Sequence, residues 1–195
     1  MNRSEVFELV SSWTSNKNLV KHMLAVEATM RVLAKHFEES EDDWGMVGLI
    51  HDADYEKYPD KHPLVLVEEL QKRDEPQWLI DAIKSHAWGY RKDLPEPKAK
   101  LEWSLYCCDE LTGLIVAVTL VRPDPPSHKA TEGQGKKLKY VTVDNVLKKW
   151  NSKSFAAGVK REQIAMCEEK LGIPLPEFIG ITLSAMQRIS SGLGL

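Results

Sequence analysis

Cysteine is scarce in this chain, and that alone narrows the fold classes. The three are Cys107, Cys108 and Cys167, an odd number with no CxxC pair. Two neighbours in sequence diverge on a helix and bridge poorly. A disulfide framework is therefore not expected, and a reducing, cytoplasmic setting is. Long apolar runs are lacking as well. The longest, residues 114–121, is broken by Thr119 and is too short to span a bilayer. The polar start Met1-Asn2-Arg3-Ser4-Glu5 has none of a signal peptide's apolar character. A surplus of one charge is missing too: 26 Lys+Arg against 29 Asp+Glu leave a net charge of −3. That balance gives no electrostatic reason to expect a nucleic-acid duplex or a membrane as partner. The local run Lys136, Lys137, Lys139, Lys148 and Lys149 reads as a solvated face. There is no internal repeat and no convincing alternating strand.

What the chain has in abundance is helical spacing. Leu19, Met23, Val26, Met30, Leu33 and Phe37 step by four and three throughout, with Asn16 or Asn18 available as cap. Further helices are expected over 4–13, 44–52, 64–72 and 77–86, the last two behind Pro63 and Pro76. After Pro95 and Pro97 the longest helix runs over 98–121. Shorter ones follow over 143–150, 161–171 with Gly172 as stop, and 176–189, and the tail from 190 should fray. The expectation is an all-α protein of about eight or nine helices. A core over 1–121 is joined by a Pro/Gly-rich loop over 122–139 to a helical extension over 140–190. So short an extension would fold poorly alone and should pack on the core.

The chemistry-bearing residues fall beside structural punctuation. His22 lies inside the second helix, on the face of Val26. His51 and Asp52 are consecutive at a helix end, with Asp54 two further on. Asp109 lies mid-helix on the face of Leu105 and Thr112. An inward carboxylate there needs a partner, because an unpaired buried charge is costly. A metal ion is one such partner, and a salt bridge is another. Imidazole and carboxylate donors together suit first-row divalent ions better than Mg or Ca alone.

The order His, then His-Asp, then Asp on separate helices resembles the HD-domain superfamily of metal-dependent phosphohydrolases. The matching pieces are Lys21-His22-Met23, the stretch from Trp44 to His51-Asp52, and Cys108-Asp109-Glu110-Leu111. The resemblance covers roughly residues 18 to 120 and implies a helical bundle. It implies that His22, His51, Asp52 and Asp109 hold a divalent metal. Relatives with two metals add two histidines between the His-Asp pair and the last aspartate. Here His62 and His86 occupy that interval, so one or two ions (Mn, Fe, Ni, Co, Zn or Mg) are expected, Asp52 bridging if there are two. His36 and His128 align with nothing and are expected at the surface.

The resemblance further implies attack of a metal-bound hydroxide on a phosphate ester, a monoester or diester, nucleotides included. Several relatives carry Glu or Lys four positions after the motif histidine, where this chain has Tyr55. Its neighbours Asp54 and Glu56 are then the candidates, beside Asp52, for orienting water or protonating the leaving group. Lys61, Arg91, Arg122, Lys149 and Arg161 are the candidates to meet phosphate oxygens of a small phosphorylated substrate. Two other readings use the same residues: a di-iron oxygenase of the same fold, and a non-catalytic ligand-sensing module.

Overall fold

A computed structural model describes residues 1–122, 138–152 and 154–195. Most of the expected 122–139 loop, and His128 with it, lies outside the described residues. Within them the chain forms 10 α-helices and no strand. They are α1 (Arg3–Trp13), α2 (Lys17–His36), α3 (Glu41–Ile50), α4 (Leu64–Lys72), α5 (Gln77–His86), α6 (Lys100–Val121), α7 (Val143–Trp150), α8 (Arg161–Met166), α9 (Leu175–Arg188) and α10 (Ser190–Leu193). α8 continues as a π turn, Cys167–Leu171, and stops at Gly172 in the left-handed region.

Local chemistry sets most boundaries. Asn16, not Asn18, caps α2, accepting from the Asn18 and Leu19 amides. α3 begins three residues earlier than its apolar pattern suggests, because Ser40 caps it and Glu41, Asp42 and Asp43 favour its positive end. The tail does not simply fray. It closes one further turn, α10, with Leu193 buried against the core.

The core is built around α6, which is apolar on every side. It is long and apolar enough to cross a bilayer by composition. Here its sides are instead covered by α2, α5, α8 and α9. Helices α7 to α10 pack back on α2, α6 and one another. All three cysteines are buried and free, and burial pushes their thiols upward, Cys167 to about 12. They are protonated and inert at neutral pH.

The most extensive helix contact joins α2 and α3, and a glycine sets it. A methyl group at Gly48 would come within 2.9 Å of the Glu27 backbone and the Val26 carbonyl carbon. Backbone cannot yield as a flexible side chain can. This close approach brings the end of α3 against the start of α2, so that the rings of His51 and His22 lie 5.2 Å apart. Gly48→Ala is accordingly expected to destabilise the protein by about 1–3 kcal/mol through overpacking. Urea unfolding checks this, and an unchanged midpoint would show that the contact has slack.

Candidate metal centre

Six residues from five segments converge. His22 comes from α2, His51 and Asp52 from the end of α3, His62 from the residue before Pro63, His86 from the last turn of α5, and Asp109 from mid-α6. His51 is fully buried, and His62 and His86 nearly so.

The donor atoms form two groups that share Asp52. Its Oδ2 lies 3.6 Å from both His22 Nε2 and His51 Nε2. Those three donors lie within reach of one ion, and Asp109 Oδ1 flanks them, 2.9 Å from His22 Nε2 and 3.5 Å from His51 Nε2. The other oxygen, Oδ1, lies 3.4 Å from His62 Nε2 and 3.7 Å from His86 Nε2. Donors around one ion at the usual ~2.1 Å stand roughly 3.0–3.4 Å apart at tetrahedral or octahedral angles. The separations are of that size.

The hydrogen bonds on the far side of each ring sharpen the point. His51 Nδ1 donates to the Gly48 carbonyl at 2.9 Å, His86 Nδ1 to the Ile83 carbonyl at 2.6 Å, and His62 Nδ1 to Asp54 at 2.7 Å. Each of those oxygens can only accept, so each Nδ1 carries a proton, and a ring with no second proton presents a bare Nε2. His22 follows the same pattern. Its Nδ1 lies 3.2 Å from Thr112 Oγ1, whose own proton goes to the Asp109 carbonyl.

Two bare nitrogens should not face one another, yet His62 Nε2 and His86 Nε2 are 3.1 Å apart. His51 Nε2 is buried with no hydrogen-bond partner at all. A cation belongs between these lone pairs, either a proton or a metal ion. Burial first, then the neighbouring His62 and His51, pushes His86 below its ordinary value, so it holds a proton poorly. Grouped this closely, the imidazole and carboxylate donors of His22, His51 and Asp52, and of Asp52, His62 and His86, fit divalent metal.

His51 behaves differently. Burial opposes its charge, but Asp52 and Asp109 outweigh that and raise it to about 9. Burial likewise pushes Asp52 and Asp109 up, and the facing imidazoles more than offset this, holding both carboxylates well below their ordinary range. Without metal, His51 thus keeps a proton between two carboxylates. Its folded value lies above the ordinary 6.5, so this contribution is complete below about pH 6.5 and is lost as pH rises through 9. Chelated protein is expected to lose on the order of 3 kcal/mol across that window. A divalent ion should restore it, increasingly so at higher pH, because metal replaces the proton. Urea unfolding at both ends of the window, with and without chelator, decides. A flat profile would contradict the arrangement.

Several residues expected at the site do other work. Asp54 is fully buried; Oδ1 holds His62, and Oδ2 accepts the Leu66 amide at 2.9 Å, capping α4, which has no cap of its own. It orients a ring and faces no substrate. Glu56 caps the approach to α2, accepting from Ser15 Oγ at 2.6 Å and from the Ser15 and Asn16 amides; those bonds lower its pKa. Arg91 is tied to Asp93 and the Asp60 carbonyl. Arg161 gathers the carbonyls of Trp150, Ser152, Phe155 and Val159, and Lys149 sits over the Phe155 ring. Arg122 bonds Asn145. Lys61 is exposed on a 3-10 turn, away from the chamber walls.

The chamber above the cluster measures about 340 Å³. Tyr55, Trp88, Tyr90, Glu110, Gly113, Gly158, Lys160 and Gln163 wall it. Among the described residues Lys160 is its one lysine or arginine, with Nζ 5.9 Å from the Tyr90 ring centre. Gly113 carries no sequence signal, whereas Lys160 follows a turn of small residues, 154–159, whose composition is open to reading either as a pocket-lining helix start or as a tight turn; the folding of α8 onto α6 brings Lys160 here. Burial, and then Asp109, pushes the Glu110 carboxyl upward.

The matched order and this convergence meet in one comparison: the family model described as HD domain matches residues 19–112. Those residues are an HD domain. The match contains all six converging residues, whereas Gly158, Lys160 and Gln163 come from beyond the HD domain and complete its chamber wall. No curated protein and no solved structure matches the chain.

Proposed function

We propose that this HD domain hydrolyses a phosphate ester with two divalent ions. His22, His51, Asp52 and Asp109 would hold one ion, and Asp52, His62 and His86 the other. The observation that carries this reading is the pair of bare nitrogens on His62 and His86 at 3.1 Å, facing the second oxygen of Asp52. Mixed imidazole and carboxylate donors suit Mn, Fe, Co, Ni or Zn. Such ions, when bound, lower the pKa of water from 15.7 toward about 7 and neutralise phosphoryl charge.

The chain's own residues do the rest. Gly48, Asp54 and Ile83 fix the rings with Nε2 inward, so the donors are aimed before anything binds. Lys160, on the chamber wall, would supply a positive charge to a phosphoryl oxygen. Tyr55, Trp88 and Tyr90 narrow the mouth and limit water around the ester. A chamber of about 340 Å³ takes a small ester and has no room for a nucleic-acid duplex.

Phosphate release from small phosphomonoesters and phosphodiesters by Mn-loaded protein tests the reading. Activity should vanish on chelation and return with metal. Lys160→Ala should lower kcat/KM about tenfold or more, as removal of a charged hydrogen bond does. Release that survives chelation would refute the proposal.

A further inference from the structure

Beside the metal centre lies a second cavity of about 480 Å³, between α2, α6 and α10. The two share His22 and Gly113 as walls. Beyond these the second cavity is mainly apolar, with Ala25, Val116, Leu120 and Leu193 on its sides and Asn18, Lys21 and Thr112 as its polar walls. Its outer end is open, since Leu120 is 63% exposed.

Gly113 is the residue that needs explaining. It sits inside the 22-residue α6, where glycine is among the poorest helix formers. Its backbone is ordinary right-handed helix, and a methyl group there would meet nothing within 4 Å. Neither backbone strain nor close packing asks for glycine, unlike the case of Gly48. What a side chain would do is enter the open space that both cavities border, the candidate passage between them. Gly113 follows Asp109 by one helical turn, on the same face, so the passage starts at the metal cluster.

We infer that this passage seats an apolar leaving group, and that the substrate is a phosphate ester of an alkyl or aryl alcohol. The phosphoryl group lies at the Asp52 cluster and the apolar part runs over Gly113 into the second cavity. This deepens the phosphohydrolase reading and rests on it.

Binding and turnover separate the two claims. Octylphosphonate and methylphosphonate, neither of which is hydrolysed, are titrated calorimetrically into Mn-loaded protein. Burial of the extra methylenes should make octylphosphonate bind at least ~10-fold tighter. Gly113→Leu should abolish that advantage, bringing the ratio of the two affinities to about one. Leu120→Glu, a change at an exposed position that does not threaten folding, should also reduce it. Equal affinity for the two phosphonates, or an advantage surviving both variants, overturns the inference. A preference for octylphosphonate without phosphate release from octyl phosphate upholds the apolar passage and removes the hydrolase reading instead.

Discussion

Asp52→Ala is expected to leave a folded protein that retains no divalent ion at stoichiometric level and releases no phosphate. The side chain is small and partly open to the chamber, so its loss leaves little void. Its two oxygens, however, face different nitrogen pairs: His22 and His51 on one side, His62 and His86 on the other. Among the described residues Asp52 is the one common to both candidate ligand groups. Residues that merely orient metal ligands lose 10- to 100-fold on mutation, and a shared ligand should lose more than that. Circular dichroism, elemental analysis and phosphate release on one preparation give the answer. A variant that still bound metal and turned over would place the chemistry elsewhere.

The second large effect concerns stoichiometry. His62→Ala and His86→Ala should each lower bound metal from two equivalents to one, while His36→Ala leaves it at two. His62 and His86 touch only Oδ1 of Asp52, so removing either leaves His22, His51, Asp109 and Oδ2 intact. Asp54→Asn provides a graded form of the same test. It keeps a side chain that can cap α4 but weakens the acceptor on His62 Nδ1, so the second ion should bind 10- to 100-fold more weakly. One equivalent in the native protein, unaltered by either histidine change, would return both residues to substrate contact or ring support.

Much of this was legible in the sequence, for physical reasons that can be named. α4, α5 and α7 begin and end where periodicity and punctuation put them, because each has a proline or a capping threonine at its start. The His, His-Asp, Asp order was readable since each residue stands beside a helix end or on an inward face. Other features were not legible, and all of them depend on through-space partners. Glu56 looked like a free acid until Ser15 and Asn16, some forty residues earlier, were seen to occupy it. Arg161 looked like a phosphate ligand, yet its planar fork is spent on loop carbonyls. Asp54 is a sequence candidate for orienting water or moving a proton, and its short side chain instead reaches two groups later in the chain, the His62 ring nitrogen and the Leu66 amide. Lys160 and Gly113 have significance only because α8 folds against α6 and because α6 faces two cavities.

The central claim is that Asp52 bridges two ions, and anomalous diffraction from crystals grown with Mn tests it most directly. Two peaks are expected, one among His22, His51, Asp109 and Oδ2 of Asp52, the other among His62, His86 and Oδ1 of Asp52. A single peak, or none within bonding distance of Asp52, would contradict the account.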